Sequence, residues 1–324
     1  MSLKVAVIGC GYWGKNLIRN FSELGALSAV SDTNIILAKD FSKKYGVPAL
    51  NFEDVLSMDC DGVVLAVPAS LHESLAIKSF KAKKHVFVEK PLALTLEDAR
   101  NVIDASLQAN RSLMIGHLLQ YHPVFLSLLE KVKNGDLGSL KYIYSNRLSM
   151  GKVRSEEDVI WSFAPHDISM LLALAQDKVS SVFCKCSYLL QKNIADTAML
   201  HLEFSKGLNA HISCSWIHPY KEQKLVVQGE KAIAVFDDTQ EWKKKLAIYP
   251  YSIDKSQKPP DLEKQEPIFI EAPEKEPLKE ECLHFLKIMS DNISARTNGE
   301  EGLAVLEVLT AASSSINRGG VVYA

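Results

Sequence analysis

Short apolar runs alternate with helical repeats over the first third of the chain. Val5, Ala6, Val7 and Ile8 form an unbroken run of strand length, and Leu17, Ile18 and Phe21 then recur at helical spacing. A strand is predicted at 27–31, a helix at 34–45, a short helix capped by Asn51 with Asp54, and a strand at 62–67. Helix 71–82, strand 85–89, helix 96–109 and strand 112–117 continue the alternation. Strands apolar on both faces and separated by helices predict a parallel sheet covered on both sides. Further along the pattern changes. Leu208, Ala210, Ile212, Cys214 and Trp216 alternate with polar residues, as in a half-buried strand. Residues 140–149, 179–188, 195–204, 223–229 and 231–237 also read as strands, with Gly207 at a hairpin. An amphipathic helix is predicted at 278–293, and the Lys-, Glu- and Pro-rich stretch 254–277 reads as a long surface loop.

The 324 residues suffice for two domains, and 47% apolar with 23% charged residues is ordinary for a globular protein. The formal charge of -2 comes without a basic stripe, which argues against nucleic acid as a partner. No apolar run approaches the ~18 residues that cross a bilayer, and no secretory signal precedes the first strand. The six cysteines lack zinc-type spacing, although Cys184 and Cys186 share one side of a strand. The expectation is a cytoplasmic protein with reduced thiols and no metal.

The first strand runs into Gly9-Cys10-Gly11-Tyr12-Trp13-Gly14 and then a helix. The first glycine permits a tight turn, the second lets backbone approach a pyrophosphate, and the third lets helix and strand pack closely. The second strand ends in Asp32, 23 positions after Gly9, close to the spacing of an acid that binds a ribose 2′-hydroxyl. No Arg or Lys follows at 33–34, so NAD is favoured over NADP. Pro68, Glu89-Lys90-Pro91 and His117 fall at the carboxyl ends of the predicted strands, where such sheets bind ligands. Pro91 restricts the Lys90 backbone, and the bond between them is a candidate for the cis form.

Together these residues resemble the Gfo/Idh/MocA oxidoreductases. The resemblance rests on Gly9–Gly14, on Pro68-x-x-x-His72, and on Lys84-His85-Val86-x-x-Glu89-Lys90-Pro91. It continues through Gly116-His117, Tyr121-His122-Pro123, Gly135-x-Leu137-Gly138, Trp161 to Ile168 and Val227-x-Gly229. It implies an α/β fold with an N-terminal Rossmann domain, a doubly wound parallel sheet, over 1–121. A second α/β domain with a large open, mainly antiparallel sheet would cover 122–324, with homodimers or homotetramers formed through that sheet. The cofactor site implied is Gly9, Gly11, Tyr12, Trp13, Gly14, Asp32, Pro68, His72, Glu89 and Lys90. Glu89 reads equally as the charge partner of Lys90.

Hydride transfer from a secondary alcohol to NAD needs a base for the hydroxyl proton and a group that stabilises the alkoxide. The resemblance gives these tasks to Lys90 and His166, with an aspartate four residues before the histidine in many relatives; here that position is Ser162. Pro165 suits the first position of a helix, which would place His166 in the first turn, where the dipole keeps its ring neutral; Ser162, which does not titrate, either caps the helix or donates a hydrogen bond to substrate. Asp158 and Asp167 lack the spacing of the missing acid. His117, Tyr121, Arg147, Arg154 and Trp161, with His166, are candidate substrate contacts and look most like the nucleotide-sugar branch, which oxidises C3 of UDP-N-acetylglucosamine or its uronate. The loop Gly151-Lys152-Val153-Arg154 would reach a diphosphate. Gln120 stands where many family members carry an arginine, which makes relatives acting on free sugars a looser match. Two other readings stay open: an inositol or free-sugar dehydrogenase, and a non-catalytic NAD-binding sensor.

Overall fold

The computed structural model describes residues 3–323 except 255, 257 and 292. The chain divides into two compact units, Met1–Tyr121 with Glu276–Leu306, and His122–Lys275 with Glu307–Ala324.

The first unit contains β1 (Val5–Ile8), α1 (Gly14–Glu23), β2 (Leu27–Ser31), α2 (Ile35–Tyr45), α3 (Phe52–Ser57), β3 (Gly62–Leu65), α4 (His72–Lys81), β4 (His85–Val88), α5 (Leu96–Ala109) and β5 (Leu113–Ile115). The strands pair in parallel in the order β2-β1-β3-β4-β5. The order reverses between β1 and β3, and ligand crevices in doubly wound sheets open at such a point. Register places Ile8 beside both Ser31 and Leu65, so the loops after β1, β2 and β3 emerge together. Asn51 accepts the Asp54 N–H at 2.9 Å, the cap expected for α3.

The second unit contains α6 (Pro123–Lys133), β6 (Leu140–Met150), α7 (Val159–Ala175), β7 (Val179–Ser187), β8 (Thr197–Phe204), β9 (Asn209–Ser215), β10 (Ile217–Gly229), β11 (Ala232–Asp237), β12 (Leu246–Asp254), β13 (Asp261–Lys264) and β14 (Ile268–Phe269). These strands form a mixed sheet in the order β13-β12-β11-β10-β6-β9-β8-β7, mainly antiparallel, with β6 and β9 parallel and β14 beside β12. The fold is α/β, as expected. Among the described residues no helix is long and apolar enough to cross a membrane.

Three features depart from the expectations. The stretch 254–277 is not all loop: the polar β13 and the two-residue β14 both pair antiparallel with β12, because hydrogen bonding to existing strand backbone orders segments too short or too polar to carry a strand pattern of their own. Residues 276–306, assigned by sequence to the second domain, group with the first unit. They hold α8 (Pro277–Asp291) and the start of α9 (Gly299–Arg318), which is followed by β15 (Val322–Tyr323) on the edge of β7. The apolar side of α8 explains this: Leu278, Cys282, Phe285 and Ile288 join Phe21, Val64 and Phe87 in one core cluster. The Phe285 ring meets Phe87 edge-on, with centroids 5.7 Å apart.

The third departure is α7. It begins at Val159, and Pro165 lies inside it. Asp158 supplies the cap, its Oδ1 accepting from Ile160 N at 3.0 Å and Trp161 N at 3.1 Å. The proline forgoes one backbone bond, and the buried side chains of Val159, Ile160, Ala164, Ile168 and Leu171 offset that loss. His166 is therefore one and a half turns or more from the helix start, and the dipole argument for its neutrality does not apply. Ser162 lies within the helix and is not its cap.

Candidate active site

The glycine loop leaves β1 with Gly9 N donating to Ser31 O at 2.7 Å. Gly9 has φ +99°, and a Cβ there would fall 2.3 Å from Ala66 O. A Cβ on Gly14 would fall 1.9 Å from Gly9 O, so helix and loop touch backbone to backbone. Gly11 differs: a Cβ there would meet nothing within 4 Å, so its bareness serves no contact inside the protein. Trp13 stands at the α1 cap without a side-chain hydrogen bond to the helix, and the first-turn N–H groups of Lys15 and Asn16 donate to the carbonyls of Gly11 and Trp13 at 3.2 and 2.9 Å. Asp32 braces this loop, Oδ2 accepting from Cys10 N and Oδ1 from Asn34 N, each at 2.7 Å. Tyr12 is exposed, with Lys15 Nζ 5.0 Å from its ring centroid. An open approach at Gly11 with an acid beside it fits a dinucleotide.

Pro68 follows β3 and opens a short 3-10 turn leading into α4. His72 at the start of α4 is buried, with Nδ1 2.7 Å from Pro91 O and Nε2 3.0 Å from Val67 O. It ties the turn after β3 to the turn after β4, and burial lowers the pKa of its ring. The Lys90–Pro91 peptide bond is cis. Lys90 is half-buried just beyond β4. Glu89 is buried, its Oε1 accepting from Trp13 Nε1 at 2.5 Å and its Oε2 from Lys90 N at 3.3 Å. Its carboxyl group lies against Gly116, where a Cβ would be 2.9 Å from Oε2. Burial pushes the Glu89 carboxyl up to about 7, while the Trp13 bond and the Lys90 charge pull the other way. Glu89 is thus both partner to Lys90 and anchor for Trp13 at the glycine loop.

His117 and Tyr121 are almost wholly buried and already engaged. His117 Nδ1 lies 2.6 Å from Glu301 Oε2, and the Tyr121 hydroxyl lies 2.8 Å from Thr297 Oγ1. Burial raises the Tyr121 pKa above its usual value. Glu301 and Thr297 carry no motif, and only their place on the returning segment reveals them.

In the second unit Ser162 and His166 are four residues apart on α7 and share one face. Ser162 is buried and His166 half-buried. Arg147 on β6 is turned to Asp167, with Nε 2.5 Å from Oδ2 and Nη2 3.1 Å from Oδ1; Ser145 Oγ donates to the same carboxylate at 2.6 Å. Burial opposes the Arg147 charge, and Asp167 more than restores it, so its pKa is raised. Arg154 lies in the segment before α7, its Nε 3.8 Å from Glu157 and its carbonyl accepting from Gln191 Nε2 at 2.8 Å. Trp161 Nε1 donates to Ser313 Oγ at 3.2 Å. Asp158 and Asp167, both considered for the missing acid, are committed to the α7 cap and to Arg147.

Comparison with known proteins agrees with this geometry. The profile of the oxidoreductase family with an NAD-binding Rossmann fold, Gfo/Idh/MocA, matches residues 3–117, and that of the Gfo/Idh/MocA C-terminal domain matches residues 125–235. An inositol 2-dehydrogenase of Klebsiella pneumoniae is 30% identical over 72% of this chain and 74% of its own. A UDP-N-acetylglucosamine 3-dehydrogenase of Acidithiobacillus ferrooxidans is 28% identical over 53% of this chain and 54% of its own. The solved structure of UDP-N-acetylglucosamine 3-dehydrogenase GnnA from Acidithiobacillus ferrooxidans superposes with a TM-score of 0.86 at 21% identity, covering 98% of this chain and 99% of that one. With both halves matched and the glycine loop, Asp32 and the Glu89-Lys90-Pro91 turn assembled at one sheet end, the chain belongs to the Gfo/Idh/MocA family of NAD-binding oxidoreductases.

Proposed function

We propose that the protein oxidises a secondary hydroxyl of a sugar with NAD, the favoured substrate being a UDP-N-acetylhexosamine or its uronate, attacked at C3. The observation that carries this reading is the fixed Lys90. Its turn is held from one side by His72 on Pro91 and from the other by Glu89, which also holds Trp13 at the glycine loop. NAD, when bound, accepts the hydride. Lys90 keeps its charge and stabilises the alkoxide, and His166 takes the hydroxyl proton, with Ser162 one turn earlier donating to the substrate. Glu89, His72, Pro68 and the glycine loop orient the cofactor half. Asp32 takes the ribose 2′-hydroxyl and repels a 2′-phosphate, with Thr33 and Asn34 offering no counter-cation. Arg154, and Trp161 through its ring because its Nε1 is bonded to Ser313 Oγ, are the substrate contacts retained from the sequence reading. His117, Tyr121 and Arg147 act as supports, because their polar groups are engaged within their own units. The free thiols fit a reducing cytoplasm, and the exposed Met199 of β8 fits a sheet face shared between copies of the chain.

The inositol reading is the second choice, and the Klebsiella pneumoniae relative favours it. The test incubates the protein with NAD⁺ or NADP⁺ and a panel of UDP-N-acetylhexosamines, their uronates, myo-inositol and free sugars, following absorbance of the reduced nicotinamide. Turnover with UDP-sugars and NAD⁺ is expected. Turnover with inositol alone overturns the favoured substrate. Bound cofactor without a single turnover on any of them overturns the enzymatic reading for this panel.

A further inference from the structure

Gly116, the residue after β5, is not a glycine for the sake of its backbone. Its φ lies outside the left-handed region, unlike that of Gly9, so an L side chain would suffer no backbone strain there. What stands in the place of a side chain is the Glu89 carboxyl group. A Cβ on Gly116 would lie 2.9 Å from Oε2, 3.0 Å from Cδ and 3.1 Å from Oε1. Ordinary carbon contacts are about 3.5–4.0 Å. At the other described glycines the nearest atoms to such a Cβ are backbone, a hydroxyl, or carbon and sulfur atoms of side chains, never a carboxyl group. With a side chain at 116, either the backbone or the carboxyl group must give way. The backbone is pinned. Gly116 N donates to Val88 O and His117 N to Ile115 O, each at 2.8 Å, which closes a three-residue turn on Gly116. Ile115 N donates to Thr297 O at 2.8 Å, and Ile115 O accepts from Thr297 Oγ1 at 2.6 Å. His117 Nδ1 lies 2.6 Å from Glu301 Oε2. Three successive residues are therefore tied, to β4 on one side and to the returning segment on the other. The Glu89 backbone is tied as well, its N donating to Leu65 O at 3.0 Å. Only the Glu89 side chain can turn about its own bonds, so it is the part that yields.

We infer that Gly116 is a positioning residue: its bare Cα is the seat that sets where the Glu89 carboxyl group stands, and through that group where Trp13 and Lys90 are held. The carboxyl group accepts from Trp13 Nε1 at 2.5 Å and from Lys90 N at 3.3 Å, so a shift at the seat reaches the glycine loop and the lysine turn together. Thr297 and Glu301 take part by keeping Ile115 and His117 from backing away. The returning segment thus serves the site of the first unit as well as its core. The consequence for catalysis rests on the proposed role of Lys90; the seating of Glu89 does not.

Gly116→Ala places one methyl group on the seat. The variant is expected to keep the wild-type circular dichroism, because the carboxyl group moves and the backbone does not. A chain that loses that signal has yielded at the backbone and overturns the inference. Trp13 reports the displacement, since its indole N–H is bonded to the carboxyl group. Its emission, assigned by difference with Trp13→Phe, should shift in Gly116→Ala, and NADH affinity should fall about tenfold, the worth of a hydrogen bond to a charged group. Unmoved emission overturns the inference. Glu89→Ala empties the space beside the seat, so on that background Gly116→Ala should change neither emission nor NADH affinity. An equal effect of Gly116→Ala with and without the carboxyl group makes the glycine a matter of backbone alone and overturns the inference. If Glu89→Ala does not fold, Glu89→Asp takes its place: the shorter side chain withdraws from the seat, and the effect of Gly116→Ala should shrink; an undiminished effect overturns the inference. On an active substrate kcat of Gly116→Ala should fall about tenfold while the KM for that substrate stays within a few fold. An emission shift with unchanged kcat overturns the positioning role. Failure to turn over any substrate refutes the proposed function, while the emission of the four chains of the cycle still decides the seating of Glu89.

Discussion

Arg147 on β6 grips Asp167 on α7 through two nitrogens, at 2.5 and 3.1 Å, and Asp167 is the immediate neighbour of His166. The pair fixes how α7 sits on its sheet, and so fixes the direction in which His166 leaves the helix. Removing one partner leaves a buried charge alone. Arg147→Met is expected to destabilise the second unit by about 3–5 kcal/mol, and adding Asp167→Leu to recover most of that. Urea unfolding of both variants measures it. A single variant as stable as wild type would mean that the pair does not hold α7.

The three glycines of the loop separate by the space around them. Gly14→Ala forces a Cβ against Gly9 O, so the variant should melt well below wild type. Gly11→Ala meets no protein atom and should keep the wild-type melting temperature. Its NADH affinity should nevertheless fall about tenfold or more, ~1.4 kcal/mol, where the pyrophosphate approaches bare backbone. Unchanged NADH binding by Gly11→Ala would remove the pyrophosphate from this loop.

Asp32 has two structural bonds and one proposed ligand. Asp32→Asn removes the charge that opposes a 2′-phosphate, so the preference for NADH over NADPH should drop about tenfold or more. Titrations of both cofactors by fluorescence quenching give the ratio. An unchanged ratio would make the carboxylate a brace for Cys10 and Asn34 alone.

Lys90→Met and His166→Asn should each lower kcat by about 10²–10⁴ while NADH affinity stays within a few fold. Losing the proton acceptor should also remove the acid limb of the rate profile in His166→Asn. If that limb survives in His166→Asn and vanishes in Lys90→Met, the two roles are exchanged.

Two histidines of the first unit are held neutral by what they accept. His85 Nδ1 takes the Ser112 N–H at 3.0 Å, and His284 Nε2 takes the Arg296 N–H at 3.1 Å. Burial, then the charges of Arg111 and Arg296 respectively, lowers both to about 4. Unfolded histidines take up protons at about 6.5. Between these values the unfolded chain binds more protons, so the histidines' contribution to stability is present above 6.5 and is lost as pH falls towards 4. Urea midpoints of wild type and the His85→Asn/His284→Asn double variant should converge in slope above pH 7 and diverge in this window, with the variant less acid-sensitive. Parallel curves would remove the histidines from acid unfolding.

The sequence by itself determined the first unit's element order, its glycine loop, Asp32 and the place of Lys90 at a strand end. These follow from interactions within a few residues: apolar period, glycine stereochemistry, proline and the Asn51 cap. Tertiary structure alone decided where α7 starts, because burial along its whole length outweighs the one backbone bond that Pro165 forgoes. It also turned Arg147 to Asp167, His117 to Glu301 and Tyr121 to Thr297, partners up to 184 positions apart in the chain. No local pattern encodes such a pairing, since a charged residue finds its partner only when the topology carries a distant segment, here α8 and α9, back to the sheet.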